Sequence, residues 1–542
     1  MQPSALAKRL FILLFLIIVV FYFYGLGQMP LVGPDEPRYA QVAREMFMRA
    51  DLITPTLGGR PWFEKPALLY WLIAFAYKLF GVSEFSARCG AALCGLLTVV
   101  PVAILARNFE KANSESAGLS WWTTMACATS FGLIVFSRGA TFDIVVTMTL
   151  TWALALFFLH ERARSLKNKR LLLIGFYAAV GLSLLAKGLI GIVIPGGVIG
   201  LYHLIQRKWP SRELLISVLW GFPISLLIAA VWYGPVISRH GWTFINDFFI
   251  QHHFARYVSG KYQHPQPIYF YVPMLLMLTV PWTGFVIDAL ARLRFRKTNV
   301  TSPGVALKFF AASWIVFPLV FFSFSGSKLP GYLLPAIPAA AILIGERMAR
   351  LTSGAGSRWP VIASGLVAVA LAAGGIYYAF NSGAVAVRTA ALISLPILFA
   401  GLFAVMCSRF VTTALLAVAF GSVLTLGLVV RFVAVEFAQR QSTKQLLAIA
   451  DSRGFASAPL FIRRDDRSPE FYASKRVVYG ADGEPERLEA IKDIVAETER
   501  RGQRILVLVP LENLDQYKNP TYIEIIGDNG THALLATKIV NR

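Results

Sequence analysis

Near the start of the chain, Gly33-Pro34-Asp35-Glu36-Pro37-Arg38-Tyr39 sets carboxylates beside a guanidinium, and Phe63-Glu64-Lys65-Pro66 repeats the pairing soon after. Further acids and bases stand in short polar breaks between apolar runs: Arg138 and Asp143 in Ser137-Arg138-Gly139-Ala140-Thr141-Phe142-Asp143, Lys187 in Leu185-Ala186-Lys187-Gly188, His252 and Arg256 in Gln251-His252-His253-Phe254-Ala255-Arg256-Tyr257, and Lys328 and Tyr332 in Ser325-Gly326-Ser327-Lys328-Leu329-Pro330-Gly331-Tyr332. Cations of this kind neutralise a phosphate that gains negative charge. Carboxylates beside them stabilise positive charge on a reacting carbon or take up a proton. The chemistry depends on whether the breaks reach one place.

The elements that must bring them there are membrane spans. The chain has 542 residues, 56% hydrophobic and 15% charged, with a mean hydropathy of +0.59. Apolar runs recur along most of its length, as in a polytopic membrane protein. The formal charge of +22 is scattered among those runs and no nucleic-acid-binding module accompanies it, so nucleic acid is set aside as a partner. Cys89, Cys94, Cys127 and Cys407 lie in apolar segments without metal-ligand spacing, which argues against a zinc site or a disulfide framework.

Lys8 and Arg9 precede an apolar run from Leu10 to about Gly27 with no small-residue cleavage site after it. A retained first span starting in the cytoplasm is expected. From Asp35, placed as an N-cap, to about Ala50, the residues Tyr39, Val42, Ala43, Met46 and Ala50 recur at helical spacing opposite Arg38, Gln41, Glu45 and Arg49. That pattern predicts a helix on the membrane surface with carboxylates at its head. Ala67–Phe80 is too short to cross. If it did cross, the basic clusters Glu161–Arg170, Gln206–Arg212, Ala291–Lys297 and Glu346–Arg358 would face outward, so it is expected to be a second surface helix. Later spans are expected at about 88–106, 117–137, 142–160, 171–187, 189–205, 214–237, 268–288, 304–324, 331–346, 359–380, 389–407 and 411–435. With the first, that makes about thirteen.

The expected organisation is a transmembrane domain over 1–440 and a small extracytoplasmic α/β domain over 441–542. The first carries surface helices at about 35–50 and 66–80 and a long outer loop at about 239–267. In the second, Leu460–Arg463, Arg476–Tyr479, Arg504–Val509, Tyr522–Ile526 and Ala533–Val540 read as strands and Glu484–Arg501 as an amphipathic helix. This topology collects Arg38, Lys65, Arg138, Lys187, Arg256 and Lys328 on the face where positive residues are disfavoured. Snorkelling to lipid headgroups explains any one of them. A phosphate or pyrophosphate substrate explains the group together with Asp35, Glu64 and Asp143.

Taken together, DEPRYA, FEKP with LLYWL, the outer Asp143, the LAKG turn, QHHFARY and SKLPGYLLP resemble the bacterial C-type glycosyltransferases. The nearest resemblance is to the 4-amino-4-deoxy-L-arabinose lipid A transferases, which are related to protein mannosyltransferases. It covers about residues 1–435 and implies a transferase of the bacterial inner membrane with its site on the periplasmic side. The donor would be a sugar on an undecaprenyl-phosphate carrier, the surrounding partner membrane lipid, and the acceptor lipid A phosphate or another envelope glycan. Alternatives kept open are another sugar or acceptor, including protein O-glycosylation, and a lipid-linked sugar flippase. The resemblance casts Asp35, Glu64 and Asp143 as catalytic. It assigns Arg38, Tyr39, Lys65, Lys187, His252, Arg256 and Tyr332 to substrate, and the outer-face charge adds Lys328 to them. No cofactor is required by it, and a divalent metal near Glu64 and His252 stays open.

Overall fold

The computed structural model describes residues 5–112, 117–255, 265–293, 303–462, 467–480, 483–488, 490–517 and 521–538, without the side chains of 5–8, 112, 252–255, 303 and 474. The chain begins with α1 (Ala5–Phe23), α2 (Glu36–Arg49), the short hairpin β1 (Thr56–Leu57) and β2 (Arg60–Pro61), α3 (Leu68–Phe80) and α4 (Glu84–Ala112). The bent pair α5 (Leu119–Thr129) and α6 (Phe131–Ser137) precedes α7 (Phe142–Arg162), α8 (Leu166–Lys187), α9 (Ile190–Gln206) and α10 (Arg212–Ile245). Next come α11 (Tyr271–Leu278), α12 (Thr283–Ala291), α13 (Pro303–Ser323), α14 (Ile337–Thr352), α15 (Trp359–Ser382), α16 (Val387–Met406) and α17 (Val411–Val429). Among the described residues, nine helices are long and apolar enough to cross a membrane, or ten with the bent pair taken as one span.

The chain forms two compact units. The first comprises Met1–Tyr24, Phe63–Leu69 and Gly90–Val429. Lipid is as apolar as a leucine side chain, so its helices are held by close packing rather than by exclusion of water. Where α15 crosses α16, a Cβ on Gly365 would stand 2.7 Å from the carbonyl oxygen of Gly401, and the converse holds for Gly401. Only glycine allows that approach. The expected loop over 239–267 starts as helix instead. α10 runs to Ile245 through a break at Gly241 (φ 54°), and a π-helical turn continues over Asn246–Ala255. Phe244 and Phe248, both fully buried, pack on Trp232 and hold this extension down.

The second unit comprises Gly25–Trp62, Tyr70–Cys89 and Val430–Arg542, so α2 and most of α3 belong with the C-terminal fold. After α17 come α18 (Val435–Gln441), α19 (Lys444–Ala450), β3 (Leu460–Ile462), α20 (Ser468–Tyr472), α21 (Ile491–Arg501), β4 (Leu506–Pro510), β5 (Ile523–Asp528) and β6 (His532–Thr537). The sheet has the order β3-β4-β6-β5, with β3 and β4 parallel and the other neighbours antiparallel. Leu506 and Leu508 face Leu446 and Leu447 on one side, while Val507 and Val509 share the other with Ile494, as the strand period requires. Among the described residues, the expected strand at Arg476–Tyr479 makes only the isolated bridges Leu460–Val477 and Tyr479–Pro485. Because Pro485 is in one of those bridges, the helix expected from Glu484 begins at Ile491.

The apolar stripe of α2 is turned into protein rather than onto lipid: Tyr39, Val42, Ala43 and Met46 are buried. α3 has two apolar faces. Tyr70, Ile73 and Tyr77 are buried, and Phe75, Leu79 and Phe80 are exposed. An outward apolar face on a helix this short suits the membrane surface.

Candidate active site

In the first unit, two helix ends bring a carboxylate and an ammonium together. Asp143 lies in the first turn of α7, where free backbone N–H groups favour a negative charge. Lys187 ends α8, where free carbonyls favour a positive one, and Gly188 (φ 66°) turns the chain away. The Lys187 Nζ donates to Asp143 Oδ1. The ammonium also stands 4.6 Å from the centre of the Tyr332 ring, on the 3-10 turn Pro330–Ala336. A Cβ at Gly331 would fall 2.3 Å from Asp143 Oδ2, so the turn reaches the carboxylate only through glycine. Tyr271 braces the same turn by donating to the Leu329 carbonyl at 3.2 Å. Lys187 and Asp143 side chains keep 18% and 19% of their surface, so the pair is held but reachable.

Glu64 and Lys65 form an ion pair at 2.9 Å in the same unit. The preceding Phe63 fixes their segment by packing edge-on to His240 and Phe244. Lys328, expected among the outer-face cations, is 8% exposed, and its Nζ donates to the Ser325 carbonyl at 2.8 Å within its own turn. Arg138 is also buried, donating to the carbonyls of Phe21 in the last turn of α1 and of Tyr24 just past it. That contact accounts for a cation at this position without a substrate.

The second unit carries the other acids. Asp35 precedes α2, but its backbone is helical and its side chain makes no cap hydrogen bond. The capping role expected from the Gly-Pro-Asp pattern is absent because the residue has already entered the helix. Instead, Arg38 Nη2 donates to Asp35 Oδ1 at 2.6 Å, and half of the Asp35 side chain stays exposed. Arg38 lies 5.2 Å over the Trp62 ring. Tyr39 is buried, edge-on to Tyr70 at 6.3 Å, so it packs the helix rather than lining an open surface.

Glu36 is unlike its neighbour. It accepts from Arg88 Nε at 2.8 Å and Nη2 at 2.6 Å, while Arg88 also binds the carbonyls of Leu26, Met29 and Pro30. The sequence reading did not find this knot; a lone arginine at the head of an apolar run was its only trace. Nor did it find Glu470, which is wholly buried and accepts from Arg467 at 3.1 Å. Burial raises the Glu470 carboxyl above the ordinary glutamate range, against the pull of Arg467 and Arg38. The His252 side chain and all of Arg256 lie outside the described residues. No group of three His, Cys, Asp or Glu that could hold a metal occurs among the described residues.

This architecture is that of a multi-spanning helical membrane protein with a small sheet-bearing unit. The crystal structure of ArnT from Cupriavidus metallidurans bound to undecaprenyl phosphate matches it with a TM-score of 0.79 at 23% identity, over 98% of both chains. The Archaeoglobus fulgidus oligosaccharyltransferase matches at a TM-score of 0.50 and 12% identity, over 94% of this chain and 70% of the other. Residues 8–245 match the family model described as dolichyl-phosphate-mannose-protein mannosyltransferase. The chain is also similar to enzymes named undecaprenyl phosphate-alpha-4-amino-4-deoxy-L-arabinose arabinosyl transferase. The one from Pseudomonas paraeruginosa is 33% identical over 338 residues, 61% of this chain and 58% of the relative. The one from Edwardsiella ictaluri is 31% identical over 369 residues, 67% and 64% respectively. The chain thus spans less than two thirds of the length of these relatives.

Proposed function

We propose that this chain is a membrane glycosyltransferase that moves 4-amino-4-deoxy-L-arabinose from undecaprenyl phosphate to lipid A phosphate. The observation that carries the reading is the match to transferases of that name together with the ArnT fold over the length of the chain. Adding α1, α9 and the pair α11–α12 to the ten spans above gives thirteen. In our reading these lie in the inner membrane, with Asp143 and Lys187 at the periplasmic side.

Breaking the bond between the anomeric carbon and the carrier phosphate puts positive charge on the sugar and negative charge on the departing phosphate. Lys187 is the cation for that phosphate. Asp143 and the Tyr332 ring hold the ammonium in place before the donor arrives, so little reorganisation is left for the reaction itself. Arg256 is a second phosphate contact in this reading. Glu64 stabilises the sugar cation, with Lys65 fixing its position. Arg38 orients Asp35 toward the acceptor. A hydroxyl acceptor needs Asp35 as general base, whereas a phosphate acceptor is already a nucleophile and needs Asp35 only for orientation. A prenyl carrier also suits a site at the bilayer surface, since its chain never leaves the membrane.

The test is transfer in nanodiscs holding the full chain, undecaprenyl-phosphate aminoarabinose and lipid A, read by mass spectrometry. Wild type should yield aminoarabinosylated lipid A, and Asp35→Asn should be inserted normally and yield none. Untouched lipid A with wild type, alongside sugar on another acceptor, would overturn the acceptor. An intact donor with every acceptor would overturn the transferase.

A further inference from the structure

At the far end of α14 from Tyr332, the first unit holds a second cluster of charge. The helix has 16 residues, so its ends stand about 24 Å apart at about 1.5 Å per residue. Here α12, α13 and α14 enclose a cavity of about 290 Å³ lined by Arg292, Lys308, Glu346, Arg347 and Arg350. Asp288 pairs with Arg292 Nε at 2.8 Å and Arg347 Nε at 2.5 Å and accepts from Trp359 at 2.9 Å, with 3% of its side chain exposed. Glu346 pairs with Lys308 at 2.8 Å and with Arg350. Four cations therefore meet two carboxylates, and only one of the carboxylates lines the cavity. Arg347 is 8% exposed, yet its buried Nη2 makes no hydrogen bond among the described residues.

A buried guanidinium nitrogen without an acceptor is costly, and excess positive charge beside it favours an anion as the partner. We propose that this cavity binds a phosphate group, either that of an anionic phospholipid headgroup or free phosphate. The volume is at the lower edge of whole-ligand pockets, about 300–1,000 Å³, and suits a phosphate with a few waters. Guanidinium forks match phosphate oxygens in pairs, and Lys308 adds a compact charge. The site lies at the ends of membrane helices, where lipid headgroups stand. It is separate from the Asp143–Lys187 pair and does not depend on the transfer chemistry.

The test uses the full chain purified in nonionic detergent. Native mass spectrometry reads binding of phosphatidylglycerol against phosphatidylcholine. Thermal unfolding reads sodium phosphate against sodium chloride at equal ionic strength. Saturable binding of phosphatidylglycerol alone identifies a lipid headgroup, and stabilisation by phosphate identifies the free ion. Lys308→Gln with Arg350→Gln should weaken the observed binding about tenfold. Glu346→Gln removes a competing carboxylate and should tighten it about threefold, a gain that a damaged fold would not produce. Lys169→Gln, which breaks the exposed pair with Glu213, should change nothing. Equal binding of both lipids with no phosphate stabilisation would overturn the proposal. So would an affinity left unchanged or lowered by Glu346→Gln.

Discussion

Glu36 with Arg88 and Asp143 with Lys187 are both carboxylate–cation pairs at helix ends, and they are built differently. In the first, five hydrogen bonds close around Arg88, whose side chain is 1% exposed. In the second, one contact and an aromatic ring hold Lys187, with nearly a fifth of each side chain left open. A buried charge with its geometry filled ties chain segments together. A charge that is oriented and still reachable keeps capacity for a ligand. The contrast recurs between two consecutive residues, where Asp35 is half exposed and Glu36 pairs with Arg88.

The largest effect should come from breaking the closed pair. Arg88→Met takes the Arg88 guanidinium from Glu36 and that donor from three carbonyls, at a cost of about 3–5 kcal/mol. The variant should be lost to degradation or aggregate in detergent, as read by membrane abundance and size-exclusion profile. A monodisperse Arg88→Met protein of normal abundance would erase the distinction between the pairs.

The open pair should respond in activity rather than in abundance. Lys187→Ala should keep a normal elution profile while donor use weakens by about 1.5–3 kcal/mol, the worth of one charge-assisted bond. Lys187→Arg should rescue poorly, because a planar fork does not replace a compact ammonium between Asp143 and the Tyr332 ring. Transfer rate against donor concentration in nanodiscs separates these outcomes. Unchanged donor dependence would make the open pair structural too.

How far these differences could be read from sequence depends on what period and spacing contain. The apolar runs predicted the helices, and the polar breaks put Asp143 in a first turn and Lys187 in a last turn, because those are local properties. Periodicity also gave the apolar stripe of α2, but it cannot say what covers a stripe, and Tyr39, Val42, Ala43 and Met46 meet protein where lipid was expected. Lys328 and Arg138 had the residue types of ligand-binding cations. Their acceptors are backbone carbonyls, which every residue carries and no motif records. The Arg88 knot joins segments far apart in the chain, so its partners had no common pattern to find.

The smallest effect sharpens the comparison from a third acid. Burial holds the Glu470 carboxyl protonated to higher pH in the folded chain than in the unfolded one. Its contribution is therefore most favourable at low pH and is lost as pH rises from the ordinary glutamate range through its raised value. Glu470→Gln cannot ionise and should flatten the fall of Tm over that interval by about 2–4 °C. Thermal unfolding of both proteins from pH 4 to pH 8 reads the slope, and parallel curves would show that Glu470 is not the group responsible.

Gly331 carries no functional group, yet a single methyl there would occupy the space of an Asp143 oxygen. In a saturation-mutagenesis map, position 331 should therefore be as intolerant as Asp143 itself. Ranked by tolerance alone, it would be mistaken for part of the reaction. Its contribution is to leave room for the Asp143 carboxylate beside it.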